Sequence, residues 1–407
     1  MHGLRAMIAA FLSFHAPLVA GQPVTPLEMP FKVLGARRDS SLERIFRHLD
    51  PWIGGDSADS VPIGRDRVLW LFGDSYLGHH EGKRRVISGM IRNAVAIREG
   101  TGADSMRFFP KAGKGTPRAF FHPDGVSWVW PCRGGLRTEE GLYVFLPEFR
   151  AIPGQRNGFG FKPAGMRLVR ISHPDQQPDR WKWKSFRVPW PVHAPGKGSM
   201  SFANPFFGRD GRIYLPGMEE LPSGRHLLMA RCESARLENF AAWKFLTRSG
   251  WSRRPEDATR LCDHVGAELS VSWKPFLNSW LLVTTENGLS ARIVARTARD
   301  PWGPWGGSVT LYRAPEPRRD RAIACYAGKE HPELAARGNE VVISYVCNAS
   351  PEKIGRDPAL YTPLFVRLRL TRPEGPPIPT GLPKERLRES VNISSRRYSS
   401  AGRAPDL

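Results

Sequence analysis

The sequence predicts an all-β fold, a five-bladed β-propeller, on three observations. First, the 407 residues include 40 Gly, 37 Pro, 13 Trp and 21 Phe, which is typical of many short strands joined by tight turns. Second, a pair of apolar runs recurs five times along the chain. Third, no linker interrupts the chain between Pro51 and Arg372. We therefore expect one domain built from five similar units.

The first run of each pair is strongly apolar and follows a polar or glycine-containing turn. These runs are Arg67–Asp74, Gly141–Glu148, Gly211–Met218, Ser279–Glu286 and Glu340–Asn348. Their starts are separated by 74, 70, 68 and 61 residues, so they form a weak internal repeat. Each is followed by a second run that ends in a polar or basic residue. Because one small sheet cannot bury both of its faces, five such sheets must pack around a common axis.

The first residues have the pattern of an export signal. Arg5 precedes an apolar run from Ala6 to Val19, and small residues follow it at Ala20 and Gly21. The run is too short to span a bilayer, and no later segment is long enough. We expect a secreted or periplasmic protein without a membrane span. A disordered or packed N-terminal arm is the alternative interpretation of these residues.

The remaining boundaries follow from composition. We predict a signal peptide at 1–21, an N-terminal arm at 22–50, the propeller at 51–372 and a basic tail at 373–407. The tail is rich in Pro, Ser and Arg, so we expect it to be poorly ordered.

The charge balance favours an anionic partner without identifying one. The chain has 60 Lys and Arg against 39 Asp and Glu, a formal net charge of +21, which attracts polyanions. The basic residues are scattered, whereas a nucleic-acid site needs a clustered patch. We predict a polysaccharide substrate, neutral or anionic, no specific nucleic acid, and a monomer. A generally basic surface with no ligand of its own is an equally good interpretation.

The five cysteines form no CxxC pair and have no metal-ligand spacing, which excludes zinc ribbons and thioredoxin-like sites. Their odd number leaves at least one cysteine free in any disulfide arrangement. We predict no cofactor and no metal site, although a structural cation in the central channel is left open.

The first strand of each propeller blade lines the central channel, and ligands bind at a mouth of that channel. These inner strands are predicted at Asp56–Ile63, Gly125–Pro131, Ser201–Phe207, Ala267–Phe276 and Cys325–Leu334. Polar residues on or beside them are candidates for substrate binding, and each could instead be structural. The candidates are Asp59, Asn93, Asn204, Ser270, Tyr326 and His331.

Two carboxylates stand out in the segment from Gly54 to Gly78. Asp56 begins an inner strand and Asp74 ends its partner strand, so antiparallel pairing brings both to one end of the blade. Paired carboxylates divide the acid and base work of glycosidic cleavage. We therefore predict Asp56 and Asp74 as catalytic, with Glu268 as an auxiliary catalytic group. The alternative is that both aspartates cap turns.

The motif FGDSYLG also suggests a rival function. A nucleophilic Ser follows a strand in GDS-type esterases, which would make Ser75 the nucleophile. Those enzymes also need a late Asp-x-x-His motif and a Gly-x-Asn-Asp block, and this chain has neither. The esterase is therefore the weaker hypothesis.

Several motifs resemble one family of bacterial secreted five-bladed propellers, first catalogued as a domain of unknown function, that includes endo-D-arabinanases. They are GGDSADSVP, LWLFGDSYLG, MIRNAVAI, AELSVSW and SARIVARTARDPWGPW. The resemblance runs from about Pro51 to Arg372 and implies that Asp56 and Asp74 are the catalytic pair. The chain differs from that family in its positive charge and in having FGDS where relatives tend to have FGDT.

A more distant similarity links the chain to the arabinanase and invertase propellers. In those enzymes an Asp of the first inner strand acts with a Glu of a later one, and Asp56 and Glu268 occupy comparable places. We predict a glycoside hydrolase-like propeller that cleaves an arabinan-like or anionic polysaccharide. A non-catalytic glycan-binding propeller is the alternative.

Overall fold

The computed structural model describes residues 30–373 except 48, 50, 83, 101, 103–104, 112–116, 124, 155–159, 191, 194–195 and 337. The described residues form a five-bladed β-propeller of five small antiparallel sheets, as predicted. The predicted signal peptide lies outside the described residues, as does the predicted tail after Pro373.

The chain enters the propeller through a strand and a short helix, followed by blade 1. These elements are β1 (Lys32–Arg38), α1 (Ser40–Ile45), β2 (Trp52–Pro62), β3 (Arg67–Glu81), β4 (Arg84–Ile91), β5 (Ala94–Glu99) and β6 (Met106–Phe109). The sheet order in blade 1 is β2-β3-β5-β6, and β4 pairs with the far end of the long strand β3.

Blades 2 and 3 follow with the same inner-to-outer order. Blade 2 contains β7 (Trp128–Val129), β8 (Gly135–Thr138), β9 (Gly141–Ala151), β10 (Phe161–Ile171) and β11 (Trp183–Arg187). Blade 3 contains β12 (Val192–His193), β13 (Ser199–Phe202), β14 (Phe206–Phe207), β15 (Ile213–Leu221), β16 (Gly224–Cys232), β17 (Lys244–Thr247) and β18 (Gly250–Ser252).

Blades 4 and 5 complete the ring. Blade 4 contains β19 (Leu269–Lys274), β20 (Ser279–Thr285), β21 (Arg292–Ala298) and β22 (Val309–Arg313). After α2 (Glu316–Arg319), blade 5 contains β23 (Ala324–Glu330), β24 (Glu340–Asn348), α3 (Pro351–Arg356) and β25 (Leu364–Thr371). Single 3₁₀ turns occur at Pro178–Arg180, Ser234–Arg236, Phe240–Ala242, Pro255–Asp257 and Pro332–Leu334.

The ring is closed by the N-terminal strand. β1 pairs antiparallel with β25, from Lys32 opposite Thr371 to Arg38 opposite Val366, and forms the outer strand of blade 5. Part of the segment predicted as an N-terminal arm, the strand Lys32–Arg38, therefore belongs to the last sheet. The sequence gives little sign of this, because the strand is mostly polar or small and its partner lies at the other end of the propeller.

The core lies between neighbouring blades. Val61, Leu69 and Leu71 of blade 1 belong to one buried cluster with Leu142 and Val144 of blade 2, so each sheet buries one face against the next. Trp52 and Trp70 are fully buried in another such layer. No helix among the described residues is long and apolar enough to cross a membrane.

One disulfide is present among the described cysteines. Cys325 and Cys347 lie opposite each other on β23 and β24 and are bonded. Cys132, Cys232 and Cys262 are free thiols. The sequence left this pairing open, and the register of blade 5 determines it.

Candidate active site

The strand β2 is shaped to present Asp56. A Cβ atom at Gly55 would lie 2.8 Å from Ser75 Oγ, and one at Gly73 would collide with the Asp56 carboxylate, so both positions need glycine. Ser57 and Ala58 have φ values of 68° and 53°, and the pairing of β2 with β3 is irregular around Ser57. Such a bulge turns a side chain out of the regular alternation.

Asp56 and Asp74 lie on these paired strands, although not at strand ends as predicted. β2 already begins at Trp52 and β3 continues to Glu81. Burial, together with the negative charges of Asp74 and Glu268, raises the pKa of Asp56 well above its usual value. The three predicted catalytic carboxylates are therefore close enough to act on one another.

Two tyrosines of blade 5 hold the Asp56 carboxylate. The Tyr326 hydroxyl donates to Asp56 Oδ2 at 2.8 Å and the Tyr361 hydroxyl to the same oxygen at 3.3 Å. Burial beside Asp56 raises the pKa of both phenols, so they remain donors. Tyr361 and Ala327, the neighbour of Tyr326, both have positive φ values, of 54° and 59°. Unusual backbone conformations thus concentrate around Asp56, as they often do at functional sites.

Asp74 is held on both oxygens. Trp130 Nε1 donates to Oδ1 at 2.7 Å, and Arg92 Nη1 donates to Oδ2 at 3.0 Å. The Arg92 guanidinium also lies 4.4 Å from the ring centre of Trp128. Burial raises the pKa of Asp74, and Arg92 opposes that rise. We call Asp56, Asp74, Tyr326 and Tyr361 the mouth cluster.

Below the mouth cluster, a lysine connects three blades. Lys329 Nζ donates to the Ser57 carbonyl at 2.6 Å, to Asp59 at 3.3 Å and to Glu268 at 3.3 Å. Ser57 Oγ also donates to Glu268, at 2.8 Å. Burial raises the pKa of Asp59 to about 6, although Lys329 opposes the rise. We call Asp59, Glu268 and Lys329 the channel cluster; its ammonium supplies a fixed positive charge inside the channel.

Two other predicted substrate-binding residues make contacts between blades. Asn204 Nδ2 donates to the Ala267 carbonyl at 3.1 Å. Ser270 Oγ accepts the Glu330 amide proton at 2.7 Å. Arg133 lies near them and donates to the Ala267 carbonyl and to Ser201 Oγ. These residues line the channel, and their polar atoms serve mainly to join neighbouring strands.

Asn93 and His331 are not at the mouth, contrary to the prediction. Asn93 is fully buried and bonds through its amide to Phe121 and Val129, where it ties blade 1 to blade 2. His331 is 1% exposed, bonds to Ser60 and Ser344 and packs on Trp70. Burial lowers the pKa of His331 well below its usual value. Polar alternation in the sequence could not distinguish these buried polar positions from exposed ones.

Ser75 is unsuited to the esterase hypothesis. Its side chain is fully buried and its hydroxyl donates to the Gly73 carbonyl at 3.0 Å. Within the described part of the chain, no histidine is bonded to it. A nucleophilic serine needs both an adjacent base and access to the substrate.

Three residues that contact the predicted catalytic aspartates were not among the predicted site residues. Tyr361 lies in the irregular segment before β25, Arg92 lies just before a predicted run, and Trp130 lies on the inner strand predicted at Gly125–Pro131. Arg92 immediately precedes the predicted site residue Asn93 in the motif MIRNAVAI, so its position in that motif could have marked it as a candidate. Nothing local marks Tyr361, because its contact depends on how blade 5 meets blade 1.

One group of potential metal ligands occurs among the described residues. Glu316 lies beside Cys325 and Cys347, but these two sulfurs are bonded to each other. A disulfide offers no thiolate for a metal.

The sequence profile of a domain of unknown function (DUF5005) matches residues 39–370. The chain belongs to the DUF5005 family. No curated protein matches the DUF5005 chain in sequence. A candidate hydrolase from Bacteroides ovatus has a similar structure, with a TM-score of 0.66 and 18% identity over 82% of this chain and 90% of its own.

Two further solved structures align with the DUF5005 chain at lower scores. The family 117 glycoside hydrolase Zg3597 from Zobellia galactanivorans has a TM-score of 0.47 and 12% identity over 90% of this chain and 98% of its own. An α-L-arabinofuranosidase from Lactobacillus brevis has a TM-score of 0.44 and 11% identity over 83% of this chain and 99% of its own. The likeness of fold therefore rests on the Bacteroides ovatus structure.

Proposed function

We propose that this protein is a glycoside hydrolase that cleaves a polysaccharide at the mouth cluster. One observation carries the proposal: Asp56 and Asp74 are adjacent, and burial and like charge raise the pKa of Asp56 well above its usual value. Two neighbouring carboxylates whose surroundings differ are the arrangement that general acid catalysis of glycosidic cleavage requires.

Asp56 is the general acid in this proposal. It faces the negative charges of Asp74 and Glu268, while its hydrogen-bond donors are the neutral phenols of Tyr326 and Tyr361. Asp56 is therefore protonated while Asp74 is ionised, and it delivers its proton to the oxygen of the leaving sugar. Asp74, bonded to the Arg92 guanidinium, carries the negative charge and acts as the base or nucleophile. Water completes the hydrolysis, and the proton returns to Asp56.

Glu268 has an auxiliary role in this mechanism. Its negative charge adds to that of Asp74 and favours the protonated form of Asp56. Lys329 and Ser57 fix its position. We propose that Glu268 raises the pKa of Asp56 and does not itself transfer a proton, because its Oε1 already accepts hydrogen bonds from Ser57 and Lys329.

The surroundings of Asp74 support a sugar substrate. Trp130 packs on Phe149 with ring centres 4.4 Å apart, and Trp128 packs beside it at 6.0 Å. Both tryptophans are half-buried, so part of each ring faces solvent. The apolar face of a sugar packs well on such rings, and Arg92 suits an acidic group on a neighbouring unit. We propose an arabinan-like or anionic polysaccharide, met outside the cell.

A screen of polysaccharides tests the proposal. The purified protein is incubated with arabinan, xylan, polygalacturonate and carrageenan, and newly formed reducing ends are measured. We expect release from at least one polymer, and equal release by Ser75→Ala if that variant folds. Binding without release would favour the non-catalytic glycan-binding alternative, and the absence of both would contradict a glycan function.

A further inference from the structure

A pocket separate from the mouth cluster lies between blades 3 and 4. Its volume is about 300 Å³, which is at the lower end of the range for small-molecule sites. It is lined by residues from the turn before β15, from the end of β19 and from the segment after β21. Those that carry the argument are Arg209, Trp273, Arg299, Asp300 and Trp302.

This pocket is on the face of the propeller opposite to the mouth cluster. Inner strands of a propeller all run in the same direction, so their far ends share one face. Glu268 precedes β19, whereas Trp273 is near the end of that strand. Five residues of strand separate the two positions by about 16 Å. The pocket is therefore separate from the proposed catalytic site.

Flat aromatic surfaces form the walls. The Arg209 guanidinium lies 4.5 Å from the ring centre of Trp273. Trp302 stacks on Tyr214 with ring centres 5.7 Å apart, which fixes the plane of its indole. Both indoles are half-buried, so each is packed against the protein on one side and leaves part of its surface accessible to a ligand. A cation stacked on an indole also keeps its remaining donors free.

Three polar side chains of the pocket have no bonded partner in the described part of the chain. Arg209, Arg299 and Asp300 are exposed, and within the described part of the chain none of the three side chains has a hydrogen-bond or ion-pair partner. Asp210, which also lines the pocket, differs, because its carboxylate is bonded to Arg212 and Tyr214. Two guanidinium groups and one carboxylate can thus bond a ligand with neighbouring hydroxyl groups.

We propose that this pocket is a non-catalytic binding site for a saccharide unit of a polysaccharide. The indoles of Trp273 and Trp302 pack against the apolar face of the sugar, and Arg209, Arg299 and Asp300 bond its hydroxyl groups. A polymer bound at both faces gains affinity because the second contact is intramolecular. The site rests on its own residues and stands even if the mouth cluster proves to bind without cleaving.

The test measures retardation of the Asp56→Asn variant in native gels that contain arabinan, xylan, polygalacturonate or carrageenan. This background reduces cleavage of the polymer during the run. At least one polymer should slow the protein, and adding Arg299→Ala or Trp302→Ala should weaken that interaction about tenfold, the effect of losing one charged hydrogen bond. Arg299→Ala alters only an exposed side chain, so it guards against misfolding of the tryptophan variant.

A matched control is Arg253→Ala, which removes another exposed arginine without a side-chain partner in the described residues. It should leave retardation unchanged. With short oligosaccharides, Arg299→Ala in the otherwise native protein should leave any turnover unchanged. The proposal is overturned if no polymer retards the protein, or if the pocket variants and the Arg253→Ala control behave alike. Loss of hydrolysis alone would count against the mouth cluster and not against this pocket.

Discussion

The mouth cluster and the channel cluster each contain an aspartate of strand β2, and the charges that surround these two aspartates differ. Asp56 and Asp59 are three residues apart on β2. Asp59 is paired with the buried Lys329, and its pKa rises only to about 6. Asp56 faces two further carboxylates, and its pKa rises well above its usual value. The charge of Asp59 is therefore compensated by a buried cation, whereas the described hydrogen-bond donors to Asp56 are neutral phenols, which suits the proton transfer proposed for it.

The largest expected effect is on turnover at the mouth. Asp74→Asn keeps the size of the side chain and removes its charge, so the fold should persist while the rate falls by about 10² to 10⁴-fold. Reducing-end release at saturating polymer measures the loss. Asp175→Asn is the matched control, because Asp175 also pairs with an arginine but is exposed. Equal activity in Asp74→Asn and in the native protein would remove the catalytic assignment.

The channel cluster should respond in stability. Lys329→Met leaves the buried Asp59 without its cation, and breaking such a pair lowers the free energy of unfolding by about 3–5 kcal/mol. Urea unfolding at pH 7 measures this, with Arg356→Ala, an exposed partner of Glu352, expected to change it by about 1 kcal/mol or less. At pH 5 the loss should shrink, because Asp59 can then take up a proton. If Lys329→Met lowers the free energy of unfolding no more than Arg356→Ala does, Lys329 does not compensate a buried charge in the channel cluster.

The two aspartates should differ in the size of the stability change when each is neutralised. The folded protein holds a proton on Asp56 above the pH at which the unfolded chain releases it. Its contribution to stability is therefore present at acid pH and lost as the pH rises through the raised pKa. An Asn side chain cannot ionise, so Asp56→Asn avoids the cost of a buried negative charge at neutral pH. It should raise the free energy of unfolding at pH 7 by about 1 kcal/mol or more.

Burial raises the pKa of Asp59 only to about 6 because Lys329 opposes the rise, so Asp59→Asn should raise the free energy of unfolding at pH 7 by less than Asp56→Asn does. Urea unfolding of both variants at pH 4.5 and at pH 7 gives the comparison, with the gain from Asp56→Asn smaller at the lower pH. Destabilisation by Asp56→Asn at pH 7 would show that its tyrosine bonds outweigh the repulsion.

The sequence was most informative where the repeat is strong. The first run of each predicted pair, such as Ser279–Glu286 or Glu340–Asn348, falls largely on one strand of a blade (β3, β9, β15, β20 or β24), because apolar strands buried on both faces are visible in the sequence. Asp56 and Asp74 were found because one hairpin contains both. Tyr361 and the closing strand β1 were missed, since each depends on the meeting of blades 5 and 1. His331 was misplaced because a buried histidine and a mouth histidine occur in the same alternating pattern.

The smallest expected effect concerns the two phenols that distinguish the mouth cluster from the channel cluster. Tyr326 and Tyr361 donate to Asp56 and so favour its ionised form, at 2.8 and 3.3 Å. Removing either hydroxyl should raise the pKa of Asp56 further, and the alkaline limb of the pH profile of kcat/KM should move to higher pH. The shorter bond should matter more, so the shift in Tyr326→Phe should exceed that in Tyr361→Phe, each being worth about 0.5–1.5 kcal/mol, or roughly 0.4 to 1.1 pH units. Tyr76→Phe is the control, because Tyr76 packs on Tyr361 and its hydroxyl has no hydrogen bond to Asp56 among the described contacts. An acid limb that moves to higher pH in Tyr326→Phe while the alkaline limb stays in place would mean that Asp56 acts as the base, and the roles of the two aspartates would be exchanged.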